Sequence, residues 1–289
     1  MPMPRARLFV LTLIAMLAFA ANSVLCRMAL MQTGIDPASF TVVRLVTGAL
    51  VLWLLVMLRN GGWSGGSNGQ GSWPSALALL AYAAGFSFAY VKLATGTGAL
   101  LLFGAVQVTM IGHGLRAGER FDARQWLGLL LACAGLVGLL LPGVAMPPLG
   151  SALLMLGAGV AWGAYSLRGK GAGDPVQVTA GNFLRAAPIA LVLAACLHRD
   201  IAVDPAGIGL AVVSGGLASG IGYVVWYSVL PSLRATTAAT VQLGVPVLAA
   251  LGGILLLADP VTLRLLLAAL AVLGGIALVV LHRARDTQP

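Results

Sequence analysis

The strongest constraint on this chain is a succession of ten apolar runs, each close to twenty residues, divided by short stretches rich in Gly, Pro or charge. A helix rises about 1.5 Å per residue and the hydrocarbon core of a bilayer is about 30 Å thick, so each run is long enough for one crossing. The runs fall at 8–30, 38–58, 74–94, 98–116 and 124–142, and then at 149–168, 176–197, 207–230, 236–257 and 262–282. They occupy most of the 289 residues and leave no space for a sizeable soluble domain. With 60% hydrophobic and only 9% charged residues, the expected solvent is lipid. The predicted fold class is therefore an all-α membrane protein of ten transmembrane helices.

Proline placement supports these limits. Pro37, Pro74, Pro142, Pro147, Pro148, Pro175, Pro205, Pro231 and Pro260 stand at run ends, whereas Pro188 and Pro246 fall inside runs and predict kinks there. The net charge of +9 fits a nucleic-acid binder poorly, because the basic residues punctuate apolar runs instead of gathering on one solvated face. With the N-terminus inside, Arg5, Arg7, Arg59, Arg116, Arg120, Arg124, Arg168, Lys170, Arg234, Arg283 and Arg285 are cytoplasmic. Only Arg27, Lys92, Arg199 and Arg264 are outside, so the positive-inside rule predicts an inner-membrane protein with both termini cytoplasmic. The stretch RNGGWSGGSNGQGSW at 59–73 then reads as a flexible cytoplasmic loop. Ala18-Phe19-Ala20 resembles a signal-peptidase site, but the apolar run continues to Leu30, and the first span is expected to be retained. Cys26, Cys133 and Cys196 lie apart in apolar segments and read as reduced packing residues.

The two halves, 1–145 and 146–289, resemble each other. Arg27 and Arg44 are followed 141 positions later by Arg168 and Arg185, and Glu119 is followed 140 positions later by Asp259. Five spans per half is an odd number, so the second half enters the membrane inverted, a plan that places a central site between the halves. The segments GERFDARQWLG at 118–128, GYVVWYSVL at 222–230 and AATVQLGVPVLAALGGILLLAD at 238–259, with Arg44 and Arg185 in the second span of each half, resemble the drug/metabolite transporter superfamily, specifically its ten-helix type with two EamA domains. Two departures are Ala105-Val106-Gln107, where that family often carries a proline, and Ala258-Asp259-Pro260, where Gly-Glu is more usual; the second is expected only to alter a turn. The resemblance implies a central cavity lined by spans three, four, six, eight and nine.

No acidic residue lies inside a run; Asp36, Glu119, Asp122, Asp174, Asp200, Asp204, Asp259 and Asp286 are all in loops or at ends. Protons remain a possible coupling ion, with His113 the intramembrane candidate; its alternative reading is a packed or interfacial histidine. Arg44 and Arg185 are candidates to hold a substrate carboxylate through paired donors, or else to cap backbone carbonyls or snorkel to an interface. Phe86 with Tyr90, Trp162 with Tyr165, and Tyr223 with Trp226 share faces at helical spacing and either line a pocket or pack ordinarily. The amides of Asn22, Gln107, Asn182 and Gln242 need partners within the membrane, from solute or from neighbouring helices. Gly159 with Gly163, and Gly216 with Gly220, predict close helix contacts.

The leading reading is a secondary transporter, with export expected, of small organic metabolites such as amino acids or drugs. Its partners are the lipid bilayer and a small-molecule solute, and neither cofactor nor metal is expected. A membrane-embedded enzyme needs a reactive constellation, and His113, His198 and His282 are scattered. A pump needs a phosphate loop, and the stretch from Gly163 to Lys170 has the wrong spacing, with Gly171 where Ser or Thr should follow. A non-transporting scaffold or assembly partner is the remaining alternative.

Overall fold

The computed structural model describes residues 4–60, 70–116, 118, 121–141, 146–169, 172–196, 202–233 and 241–286, excepting the side chains of 60 and 279–286. Regular structure among the described residues is entirely helical. The helices are α1 (Arg5–Gln32), α2 (Pro37–Asn60), α3 (Trp73–Tyr90), α4 (Thr95–Arg116) and α5 (Ala123–Leu140), then α6 (Leu149–Gly169), α7 (Pro175–Cys196), α8 (Pro205–Ser232), α9 (Gly244–Leu257) and α10 (Leu263–Asp286). Seven of them, α1, α2 and α4 to α8, are long and apolar enough to cross a membrane. The outer faces of the bundle, α9 and α10 included, carry large apolar side chains such as Phe9, Leu58, Leu127, Val192, Leu255 and Leu270, a surface suited to lipid.

Aspartates explain why several helices begin where they do. The Asp36 carboxylate accepts from the amides of Ala38 and Ser39 at 2.8 and 2.9 Å, with Pro37 in the first turn, where its missing N–H costs nothing. Asp174 does the same for Val176 and Gln177 at 3.1 and 3.0 Å. In both helices a threonine five residues beyond the aspartate, Thr41 or Thr179, donates to the proline carbonyl. The segments DPASFT and DPVQVT thus start α2 and α7 in the same way. Asp122 forms a capping box with Gln125, which gives GERFDARQWLG a structural role at the start of α5. Glu119 and Arg120 lie outside the described residues, as do Lys170, His198, Arg199, Asp200, Arg234 and most of the 59–73 loop.

Pro188 is interior to α7; Pro246 is the third residue of α9, and the helical residues 241–242 are interrupted at Leu243 just before it, where the proline predicts a break. Residues 236–240 of the ninth apolar run lie outside the described set. One expectation is corrected, at the turn around Asp259. That turn does more than vary a loop: its carboxylate accepts from the Thr95 amide at 2.7 Å, tying the start of α4 to the end of α9.

Helix α8 changes form along its length. Pro205–Val213 is α-helical, Ser214–Ile221 is a π-helix, Gly222–Val229 returns to α, and Leu230–Ser232 closes in a 3-10 turn. The π segment SGGLASGI is nearly bare of bulk, so Gly215 sits directly on the Arg44 carbonyl and the Thr47 hydroxyl of α2. Here Gly215, beside the expected Gly216 and Gly220, makes the close approach. Gly159 packs on the Leu102 carbonyl and Ala105 of α4, and Gly163 on Thr109, as the small-residue spacing predicts.

Beyond these approaches, α6 lies on both α3 and α4, and α1 on both α8 and α9. Helix α2 pairs with α7, α4 touches α9, and α5 pairs with α10. At one end of the bundle the loops are clasped. Gly34 donates to Asp204 at 2.7 Å, the Asp36 amide donates to the Ala202 carbonyl at 2.9 Å, and the Ala202 amide donates to Asp36 at 2.9 Å. Arg27 adds bonds to the carbonyls of Tyr90 and Val91 at the end of α3. At the opposite end Arg59 pairs with Asp174 at 3.0 Å.

Candidate functional site

A polar cluster sits in the middle of the bundle. Arg44, 1% exposed, donates through Nε to the Ser219 hydroxyl at 3.0 Å and through Nη2 to the hydroxyls of Tyr82 and Tyr223 at 3.0 and 3.2 Å. Its guanidinium carbon lies 5.1 Å from the Tyr82 ring centre and 5.0 Å from that of Phe86, within cation–π range. Asn22 donates to Tyr82 at 3.1 Å and accepts from Ser214 at 2.6 Å, so its amide is satisfied by protein groups. Ser214 and Ser219 both belong to the π segment, whose altered turn turns two hydroxyls toward α1 and α2.

Aromatic rings enclose this cluster. Trp162 stands 4.8 Å from Tyr82 and 4.7 Å from Tyr223, and Phe19 meets Trp162, Tyr223 and Trp226 edge-on at 5.9 Å each. Phe19, Asn22, Ser23, Tyr82, Phe86, Trp162 and Tyr223 line a small cavity with room for about one water. Trp162 also lies 5.5 Å from Tyr165, which belongs to a larger space. That space, about 320 Å³, is lined by Tyr165, Thr179, Asn182 and Tyr227 and reaches the end of α8 at Leu230 and Pro231. A second hollow of about 380 Å³, lined by Ser72, Ser75 and Arg168, shares Gly169, Val178 and Asn182 with it. Together they form a vestibule at the end opposite the clasped loops, with Trp162 between it and the Arg44 cluster.

The sequence candidates thus separate. Asn22, Arg44, Phe86, Trp162, Tyr223 and Trp226 come together in the centre. Tyr165 and Asn182 line the vestibule, where Asn182 donates to the Tyr165 hydroxyl at 3.4 Å and accepts from the Ser72 amide at 2.9 Å. Tyr90 faces the clasped end, donating to the Thr95 carbonyl at 3.2 Å. Arg185 does not join Arg44; it donates to the carbonyls of Gln70 and Gly181 and lies over the Trp73 ring. The helix starts explain the difference. Arg44 follows Asp36 by eight residues, and eight residues after Asp174 stands Asn182, with Arg185 a turn further on. Gln107 is buried in α4, and Gln242 is buried just before α9. His113 is exposed in the last turn of α4, and Lys92 is exposed just after α3.

Sequence reasoning missed Tyr82, Ser214, Ser219 and Phe19. Tyr82 had a signal, because it lies one turn before Phe86 and two before Tyr90 on one stripe of α3. Ser214 and Ser219 had none, since small hydroxyl residues in an apolar run usually bond back to their own helix.

The sequence profile of the EamA-like transporter family matches residues 7–141 and again 149–281. An uncharacterized protein of Pseudomonas aeruginosa is 56% identical over 281 residues, spanning 97% of each chain. One solved crystal structure covers 98% of this chain and 100% of its own with a TM-score of 0.69; at 20% identity that likeness speaks for the fold alone. Matched twice over most of its length, this multi-pass membrane chain belongs to the EamA-like transporter family.

Proposed function

We propose that the protein is a secondary transporter that carries a small organic solute across the inner membrane by alternating access, with ten spans in two inverted halves, 1–145 and 146–289. The observation that carries this reading is the buried Arg44 cluster, built by α1, α2 and α3 together with α6 and α8, with a vestibule on one side and clasped loops on the other. A solute site shared by two bodies, with access from one end at a time, is what alternating access requires.

The packing supports the division into halves. Exchanging each helix for the one five later turns the contacts of α6 with α3 and α4 into those of α1 with α8 and α9, and leaves the α2–α7, α4–α9 and α5–α10 pairs unchanged. The matching Asp-Pro starts of α2 and α7 agree with it. The excess of basic residues supports cytoplasmic termini, and in that orientation the vestibule opens inward and the clasped loops face outward. A form open to the cytoplasm is the one that loads a solute for export.

Purified protein in liposomes is expected to move solutes from a panel of amino acids, organic acids and drugs without ATP. Trp162→Ala, which removes the ring between cluster and vestibule, should change the rate of that flux. Flux no greater than in empty liposomes across the whole panel would refute the reading.

A further inference from the structure

A guanidinium has five N–H hydrogens, no acceptor and a permanent charge. Arg44 spends its Nε and Nη2 hydrogens on three neutral hydroxyls, and its Nη1 is buried without a hydrogen-bond partner. Among the described residues no carboxylate neutralises it: Asp36, Asp122, Asp174, Asp204 and Asp259 all sit at helix ends or in turns. A buried charge left uncompensated is strongly unfavourable, so its retention between the two halves calls for an anion during the working cycle.

Hydrogen counting points the same way. The Tyr82 oxygen already accepts from Arg44 and Asn22, and the Tyr223 oxygen accepts from Arg44. These hydroxyls therefore offer hydrogens, not lone pairs. The Asn22 carbonyl oxygen, the natural acceptor in the same wall, already receives the Ser214 hydroxyl. Tyr82 and Tyr223 both line the central cavity, whose remaining wall is largely aromatic.

We infer that the central cavity receives the carboxylate of an organic acid bearing an aromatic or other flat apolar group, taken by the Tyr82 and Tyr223 hydroxyls with the Arg44 charge behind them. The inference rests on the transport reading and narrows its solute. The resting cavity has room for only about one water, so the acid enters from the vestibule as the rings around Trp162 part.

The test is binding of radiolabelled benzoate to the full-length protein in nanodiscs, with benzamide and chloride as competitors. Saturable benzoate binding is expected, with benzamide and equimolar chloride failing to displace it. Arg44→Gln, Tyr82→Phe and Tyr223→Phe should each weaken binding, roughly tenfold or more for the arginine, the usual effect of losing a charge-assisted contact. If Arg44→Gln does not fold, the two tyrosine variants, which keep their rings, decide. Absence of saturable binding, displacement by benzamide as readily as by benzoate, displacement by chloride alone, or indifference to the variants would overturn the inference. Binding without flux in liposomes would remove the transport reading and leave this one standing. Flux of neutral or cationic solutes untouched by Arg44→Gln would do the reverse.

Discussion

Replacing Asp36 with Asn separates two tasks that one carboxylate performs. One oxygen caps α2 by accepting from Ala38 and Ser39, and Asn caps a helix about as well as Asp does. The other accepts from the Ala202 amide at 2.9 Å across the clasped end, and there Asn would set its NH₂ against another donor. One cross-loop bond is lost, while the reciprocal Asp36 amide bond to the Ala202 carbonyl remains. A charge-assisted bond is worth about 1.5–3 kcal/mol, discounted here to about 1 kcal/mol because Ala202 is exposed and water can replace the acceptor. That shifts the balance between clasped and open forms about fivefold. The readout is maleimide labelling of Cys26, fully buried on α1 beside Arg27, in a Cys133→Ser, Cys196→Ser background. Asp36→Asn should raise the labelling rate about fivefold. Arg59→Gln, which breaks the ion pair at the other end, should not raise it. An unchanged rate in Asp36→Asn, or an equal rise in both variants, would refute the clasp.

Other outcomes follow from the same structure. A methyl group at Gly159 would meet the Leu102 carbonyl, so Gly159→Ala should lower stability by about 1–3 kcal/mol; at Gly157 it meets nothing within 4 Å, and Gly157→Ala should raise the melting temperature in detergent. Equal melting temperatures for the two variants would count against the α4–α6 contact. Burial tends to raise the Asp36 pKa, but bonds from the Ser39 hydroxyl and the amides of Ala202, Ser39 and Ala38 outweigh it and hold the carboxyl below its usual range. Bonds from the amides of Gly207 and Gly34 likewise lower that of Asp204. Carboxyls lowered in the folded state contribute stability above their unfolded values, near pH 4, and lose it as pH falls through the lowered ones. Thermal stability should therefore decline below about pH 4, and less steeply in an Asp36→Asn, Asp204→Asn variant.

Helix positions were legible because lipid demands long apolar runs, and the aspartates were legible as end markers because no acidic residue lies inside a run. The central cluster was legible in part. Asn22, Arg44, Trp162 and Tyr223 each stood out as polar or amphipathic groups in apolar runs, but their partners did not. Ser219 lies 175 residues from Arg44, and nothing local marks it as a partner. Both arginines sit in the second span of a half, Arg44 about two turns into its run and Arg185 near the middle of its own. The distinction depended on counting from Asp36 and Asp174, an offset of 138 where the arginines give 141, so one extra helical turn separates Arg185 from the depth of Arg44. The π segment was illegible because glycine, serine and alanine fit an α-helix as readily as a widened turn.

The two ends of the bundle are fastened by different forces. The clasped end uses carboxylates on backbone amides and arginine on backbone carbonyls, and the vestibule end uses the Arg59–Asp174 ion pair, with Arg59 largely exposed. Dissolved salt screens the exposed pair, with a Debye length of about 8 Å at physiological ionic strength, and leaves short contacts to the backbone almost untouched. Ionic strength thus acts on one latch and not the other, so in the proposed orientation concentrated salt on the cytoplasmic side loosens the vestibule end while the clasped end keeps its grip.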